Sequence, residues 1–345
     1  MKALRVGIIG SGGIAQSCHF PGWQKTEGAE IVACCDAREQ AARDAAKKFN
    51  VSRVYTDYGK MLREVKPDVV SVCTPNAFHM APTIAALRSG AHVLCEKPIA
   101  MNAVQGAAMC RAAKAARRLL MIGLNNRFTT ESQRLKGFIK GGDLGQVYFT
   151  RVLALRRRGV PGWGVFIRKD MSGGGPLADI GVHLLDLALW LIGHPEPVSV
   201  SGAHYTKFGT RGDIFMPWGQ WDPKKYTVED MGVGFVRFKN GSTLALEASW
   251  SAHISDDVWN VSLMGTKGGA TTSPFKIYTE KQKTLLDVTP VRLPEVESHT
   301  EEIRAFARAI RAGGPSPVPG EQALMAQRIL DGIYRSQAAK KEVRV

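Results

Sequence analysis

The tightest constraint on the fold lies at the start of the chain. Residues 5–9, "RVGII", form a near-continuous apolar run, as suits a parallel strand covered on both faces. The run leads straight into Gly10-Ser11-Gly12-Gly13-Ile14-Ala15, a G-x-G-x-x-A turn, and then into the helical stretch "IAQSCHFPGWQK". Gly10 permits the tight turn, Gly12 lets a pyrophosphate reach the backbone, and Ala15 is small enough for close helix–strand packing. With Ser11, Gly13 and Ile14 the turn ends at a helix N-terminus, whose N–H groups and positive dipole end suit phosphate oxygens. A glycine-rich turn alone is a weak signal. Here Asp36 ends the second strand about 20 residues further on, where a dinucleotide site needs an acid for the adenosine ribose.

The alternation continues. "AEIVACCD" reads as a strand, "AREQAARDAAKKF" and "YGKMLREV" as helices, "DVVSVCTP" as a strand, "PTIAALRSG" as a helix and "HVLCEKP" as a strand. "AVQGAAMCRAAKAARR" and "LLMIGLNNRF" complete the series, which predicts a doubly wound parallel sheet. Asp36 favours NAD, because a carboxylate repels the 2′-phosphate of NADP. Arg38, two residues later, could pair with that phosphate and leaves NADP open.

Beyond residues 123–127 the pattern changes, and the expected domains are 1–123 and 124–345, with the C-terminal helices packing back on the first. "QVYFTRVLAL" alternates like a half-exposed strand, and "GVGFVRFKNGSTLALEASWSAH" is a strand pair joined at Asn240-Gly241, a strong hairpin signal. Strands at "NVSLMGTKGG", "KIYTEK" and "TLLDVTPV" and helices at "TEEIRAFARAIRAG" and "EQALMAQRILDGIYRSQ" follow. "GGGPLADIGVHLLDLALWLIG" places Asp179 and His183 at i and i+4, hence on one helical face. A carboxylate there raises and orients an imidazole. A metal pair would need a third ligand at familiar spacing, and none is expected.

Other classes fit poorly. No apolar run reaches membrane-span length, and the N-terminus lacks the features of a secretory signal, so the expected compartment is the cytoplasm and no membrane partner is expected. The six cysteines fall in apolar runs without a Cys-x-x-Cys pair and read as small buried hydrophobes. The net charge of +15 raises nucleic acid as a partner, but the basic residues are scattered over helices with no recognition motif, so none is expected.

With the turn, "CTPNAFH" (73–79), "CEKP" (95–98), "NNRF" (125–128) and "GGGPLADIGVHLLD" (173–186) in this order, the chain resembles the Gfo/Idh/MocA family over nearly its whole length. The resemblance implies an α/β protein: an N-terminal Rossmann domain and a C-terminal α/β domain with a large, open, mainly antiparallel sheet that mediates homodimers or homotetramers. It implies NAD(P)-dependent hydride transfer at a hydroxyl of a sugar, inositol or related polyol. Lys97 takes the place of the catalytic lysine, Asp179 and His183 the place of the D-x-x-x-H pair. Thr74, Pro75, Asn76 and His79 fall on the loop lining the cofactor, and Glu96 either pairs with Lys97 or meets the nicotinamide ribose. Asn125, Arg127, Arg156 and Trp163 stand on the expected substrate side. Asn126 departs from the aromatic residue common there, and the arginine run 156–158 has no family-wide role. Relatives that act as redox glycosidases or as non-catalytic dinucleotide-binding regulators are the alternatives.

Overall fold

The computed structural model describes residues 3–215 and 217–345. Backbone contacts divide the chain into two compact units, 1–125 with 297–324 and 126–296 with 325–345.

The first unit holds six strands: β1 Leu4–Ile9, β2 Ala29–Cys35, β3 Val54–Tyr55, β4 Val69–Val72, β5 His92–Glu96 and β6 Leu120–Gly123. All pair in parallel, in the order β3-β2-β1-β4-β5-β6. Helices α1 Phe20–Gln24, α2 Glu39–Phe49, α3 Tyr58–Val65, α4 Met80–Arg88 and α5 Ala103–Ala116 supply the crossovers. Every residue of β4 and β6 is buried, which is why these strands read as unbroken apolar runs. Strand order reverses between β1 and β4, and such a switch point opens a crevice outside the carboxyl ends of the strands. The expected first helix is interrupted. Ala15–His19 winds as a π turn before α1 begins.

The second unit carries α6 Thr130–Gly141, β7 Val147–Leu155, α7 Lys169–Ser172, α8 Val182–Leu191, β8 Pro197–Tyr205, β9 Met231–Phe238, β10 Thr243–Ser249, β11 Val258–Gly265, β12 Gly268–Thr272, β13 Phe275–Lys281 and β14 Thr284–Val288. The chain then forms α9 Ser298–Ala312, α10 Gly320–Ala339 and β15 Val343–Arg344. α9 belongs to the first unit and packs on α1, where Gly22 makes room. A Cβ at Gly22 would lie 2.5 Å from Ile303 Cδ1.

The nine-stranded second sheet runs β14-β13-β12-β11-β7-β10-β9-β8-β15. Only β7 with β10 is parallel among these pairs; the others are antiparallel. The β9–β10 hairpin turns at Asn240-Gly241, where Gly241 has φ +84°. Burial alternates along β9: Gly232, Gly234, Val236 and Phe238 face inward, while Met231, Val233, Phe235 and Arg237 face the other way. α8 packs on β7 and β11, and Leu184, Leu185 and Ala188 of the helix and Val152, Val261 and Leu263 of the strands are all buried.

Candidate active site

In the first unit the glycine turn is fixed by its neighbours. Gly10 has φ +91°, and a Cβ there would sit 2.6–2.8 Å from the Cys73 carbonyl and Thr74 N. Only glycine lets the β1 turn close against the end of β4 at the reversal point. At Gly12 and Gly13 an added Cβ would meet nothing within 4 Å, so bare backbone faces open space. That space fits a pyrophosphate. Asp36 braces the turn: its Oδ2 accepts from Ser11 N at 2.8 Å and its Oδ1 from Arg38 N at 2.9 Å. The Arg38 guanidinium is exposed, with Nε 3.7 Å from Asp36.

The loop after β4 presents Pro75 exposed, with Thr74 and Asn76 half-buried on either side of it. His79 does not join them. It is fully buried, with Nδ1 2.8 Å from the Pro98 carbonyl and Nε2 2.9 Å from the Thr74 carbonyl. The expectation that His79 lines the cofactor is corrected on this point: it ties the loop to the segment after Lys97. Burial pushes its imidazole below the ordinary value, against the pull of the two carbonyls.

Lys97 follows β5 directly and is half-buried. Its N–H donates to Glu96 Oε2 at 3.2 Å, and Glu96 Oε1 lies 2.8 Å from His19 Nε2. Burial pushes the Glu96 carboxyl up, but His19 at hydrogen-bond distance, helped by Lys97 and His299, outweighs it and holds it at about 2. Glu96 is therefore an anion locked between His19 and the Lys97 peptide, not a group turned toward a ribose. Gly123 at the end of β6 leaves it room, since a Cβ there would stand 3.0 Å from Glu96 Oε1. Little in the local sequence singles out His19. It ends the π turn Ala15–His19, and its only mark in the sequence is a lone imidazole in a largely apolar helix start.

In the second unit a π turn, Leu177–Gly181, precedes α8 and carries Asp179. The expected uniform helix is thus replaced by a π turn joined to an α-helix, so the simple i, i+4 geometry does not apply. Glu229 anchors the start. Its Oε1 accepts from Gly175 N at 2.9 Å, Leu177 N at 3.2 Å and Tyr334 Oη at 2.9 Å. A Cβ at Gly175 would lie 2.0 Å from the Glu229 carbonyl oxygen, so glycine is required there. Asp179 Oδ2 accepts from the buried indole of Trp250 at 3.1 Å. The His183 ring lies 6.3 Å from that of Trp259.

Arg156 and Trp163 come together through Trp218, which the sequence did not single out. The Arg156 guanidinium sits 4.3 Å over the Trp218 ring, and Trp218 stacks on exposed Trp163 at 6.0 Å. Burial lowers the Arg156 pKa against the raising effect of Asp179 and Asp257. The rest of the arginine run serves local structure. Arg157 binds Asp257 and the Ser255 carbonyl, and Arg158 binds Ser251 and His253. Arg127 and Asn125 are also corrected as substrate contacts. Arg127 is buried and chelated by Asp186 at 2.7 and 2.6 Å, while Asn125 donates to Ser298 Oγ at 2.8 Å. All six cysteines are free, Cys18 half-buried and the others buried. Among the described residues no helix is long and apolar enough to cross a membrane.

Comparison with known proteins gives a consistent result. The family model "Oxidoreductase family, NAD-binding Rossmann fold" matches residues 4–124, and "Oxidoreductase family, C-terminal alpha/beta domain" matches residues 136–345. D-glucoside 3-dehydrogenase of Escherichia coli (strain K12) is 39% identical over 334 residues, covering 96% of this chain and 95% of the relative. Myo-inositol 2-dehydrogenase of Thermotoga maritima is 26% identical over 354 residues, covering 99% and 98%. The crystal structure of an oxidoreductase domain protein from Kribbella flavida shares the fold with a TM-score of 0.88 over 100% of both chains, at 24% identity.

Proposed function

The chain belongs to the Gfo/Idh/MocA family of NAD-binding oxidoreductases, and on that premise we propose that it moves a hydride to or from a ring hydroxyl carbon of a sugar, inositol or related polyol. The observation that carries this reading is the end of β5, where an ionised Glu96 fixes the peptide of Lys97. The similarity to D-glucoside 3-dehydrogenase favours a sugar ring over other alcohols.

The first unit holds the dinucleotide. Gly10 to Ile14 take the pyrophosphate, Asp36 the adenosine ribose, and Thr74, Pro75 and Asn76 border the nicotinamide side; NAD is preferred to NADP. NAD, when bound, supplies the hydride acceptor. The second unit holds the sugar. Lys97 donates to the substrate oxygen and stabilises the alkoxide as it develops. His183 takes the proton from that oxygen, oriented by Asp179, which Trp250 steadies in turn. Glu96, His19 and His79 position Lys97 and its neighbours without touching substrate. Arg156 and Trp163 stand on the substrate side. The protein works in the cytoplasm as a homodimer or homotetramer, with the bare face of the second sheet buried between copies.

The test is a screen of sugars, glycosides, inositols and sugar acids with NAD and NADP, followed at the reduced-nicotinamide absorbance band. Net NADH formation with at least one sugar or polyol is the expected result. Sugar release without net NADH would mark a redox glycosidase instead. Dinucleotide binding without turnover on any member of the panel would mark a regulator.

A further inference from the structure

The second unit contains a cavity of about 520 Å³ that the reaction as described leaves unused. One side is α8, through Leu184 and Leu187; Trp259 of β11, Phe275 of β13, and Pro290 and Val291 after β14 form the rest of its apolar part. Its size falls within the range of roughly 300–1,000 Å³ typical of small-molecule sites, which are mostly apolar with a few placed polar groups. The cavity begins at the chemistry. Leu187 lies one helical turn beyond His183, and Trp259, which lines the cavity, has its ring 6.3 Å from the His183 imidazole.

Asn126 supplies the polar feature. It borders the cavity, and its Nδ2 is shielded from solvent without a hydrogen-bond partner. A shielded donor left unpaired is costly, so a ligand acceptor within its reach would be favoured. The charged residues bordering the cavity, Glu131 and Arg292, are of opposite sign, so the site selects neither an anion nor a cation. The lining also carries the hydroxyl residues Thr129, Ser132, Thr272, Ser273 and Thr289, so the site suits an apolar ring that bears a few polar atoms.

We propose that this cavity receives the aglycone of a glycoside: an apolar, ring-sized group carried on the anomeric oxygen, with an acceptor bonded by Asn126 Nδ2. The inference rests on the proposed oxidation of a sugar hydroxyl and narrows its substrate class. The sugar ring meets His183 while the aglycone extends along α8 past Trp259. Free sugars and inositols lack the group that fills the cavity.

The test compares phenyl and methyl glucosides of both anomers, by steady-state kinetics and by calorimetric binding to the NAD-loaded enzyme. For the wild type, the better phenyl glucoside should exceed its methyl counterpart by roughly tenfold or more in kcat/KM and affinity, since burying several apolar carbons is worth at least that. Thr289→Trp, at an exposed position bordering the cavity, fills it with an indole and should bring the phenyl-to-methyl ratio close to one. Val291→Asp, also exposed, should do the same by adding charge. Equal wild-type constants for phenyl and methyl glucosides, or a preference that survives both substitutions, would overturn the inference while leaving sugar oxidation standing. Phenyl glucoside binding that both variants lose, with no turnover of any sugar, would support the cavity and remove the oxidation. Absence of both binding and turnover would remove both.

Discussion

The two sheets of this protein solve burial in opposite ways. In the first, every residue of β4 and β6 is inside, because helical crossovers cover both faces of a parallel sheet. In the second, β9 buries alternate residues only, and Phe235 and Arg237 stand exposed on the other face. The difference extends to where the proposed catalytic groups stand. The first unit presents Lys97 directly at a strand end, the natural outlet of a parallel sheet. The second presents Asp179 and His183 from a helix and its π turn, laid on the covered face of its sheet.

The sharpest way to break this comparison is to remove one group from each unit. Lys97→Met and His183→Asn should each lower kcat by roughly 10²–10⁴-fold, the usual scale for a positioned acid or base, with NAD affinity little changed. A silent result for either variant in stopped-flow turnover would mean that only one unit supplies chemistry. Burial itself is tested next. Ile8→Ala, in the doubly covered sheet, should cost roughly 2–5 kcal/mol in urea denaturation. Val233→Ala, on the bare face of β9, should cost within about 0.5 kcal/mol as a surface change. A larger loss at Val233 that depends on protein concentration would instead show that face buried by a second copy.

Smaller effects sharpen the first unit. Asp36→Ala removes both the ribose acceptor and the brace on Ser11 N, and should narrow the preference for NAD over NADP by roughly tenfold in kcat/KM. A wild-type enzyme preferring NADP would give that selection to Arg38. The smallest effect is on acid stability. Buried His79 has its pKa lowered, as does His194 of the second unit, which is pushed down to about 3. The unfolded chain thus takes up protons, from about pH 6.5 downward, that the folded chain refuses. Glu96, held at about 2, loses its contribution only below the ordinary carboxylate range. Melting temperature should therefore fall progressively below about pH 6.5, and His79→Gln should flatten the first part of that limb. An unchanged limb would mean that His79 does not titrate on unfolding.

Some features were legible because they are local. The strand–turn–helix around Gly10 needs no distant partner to be read: glycine alone tolerates φ +91°, and an apolar run predicts double burial. The places of Asp36 after β2 and of Lys97 after β5, at the ends of apolar runs, were legible the same way. The Asn240-Gly241 hairpin belongs with them.

Tertiary structure decided what those segments touch. His19 and Glu96 are 77 positions apart, and only the folding of the first unit makes them a buried hydrogen-bonded pair. Arg127, read as a substrate contact, finds Asp186 on α8, because a buried guanidinium is held only where a carboxylate neutralises it. Trp218 joins Arg156 to Trp163 across a loop with no periodicity to read. The two π turns and the parallel pairing of β7 with β10 also lay outside local pattern. Hydrophobic periodicity and backbone stereochemistry act over a few residues, so the sequence alone determined the elements and their ends. Charge pairing and close packing act between residues distant in the chain, so only the folded molecule decided which side chains became framework and which remained available for chemistry.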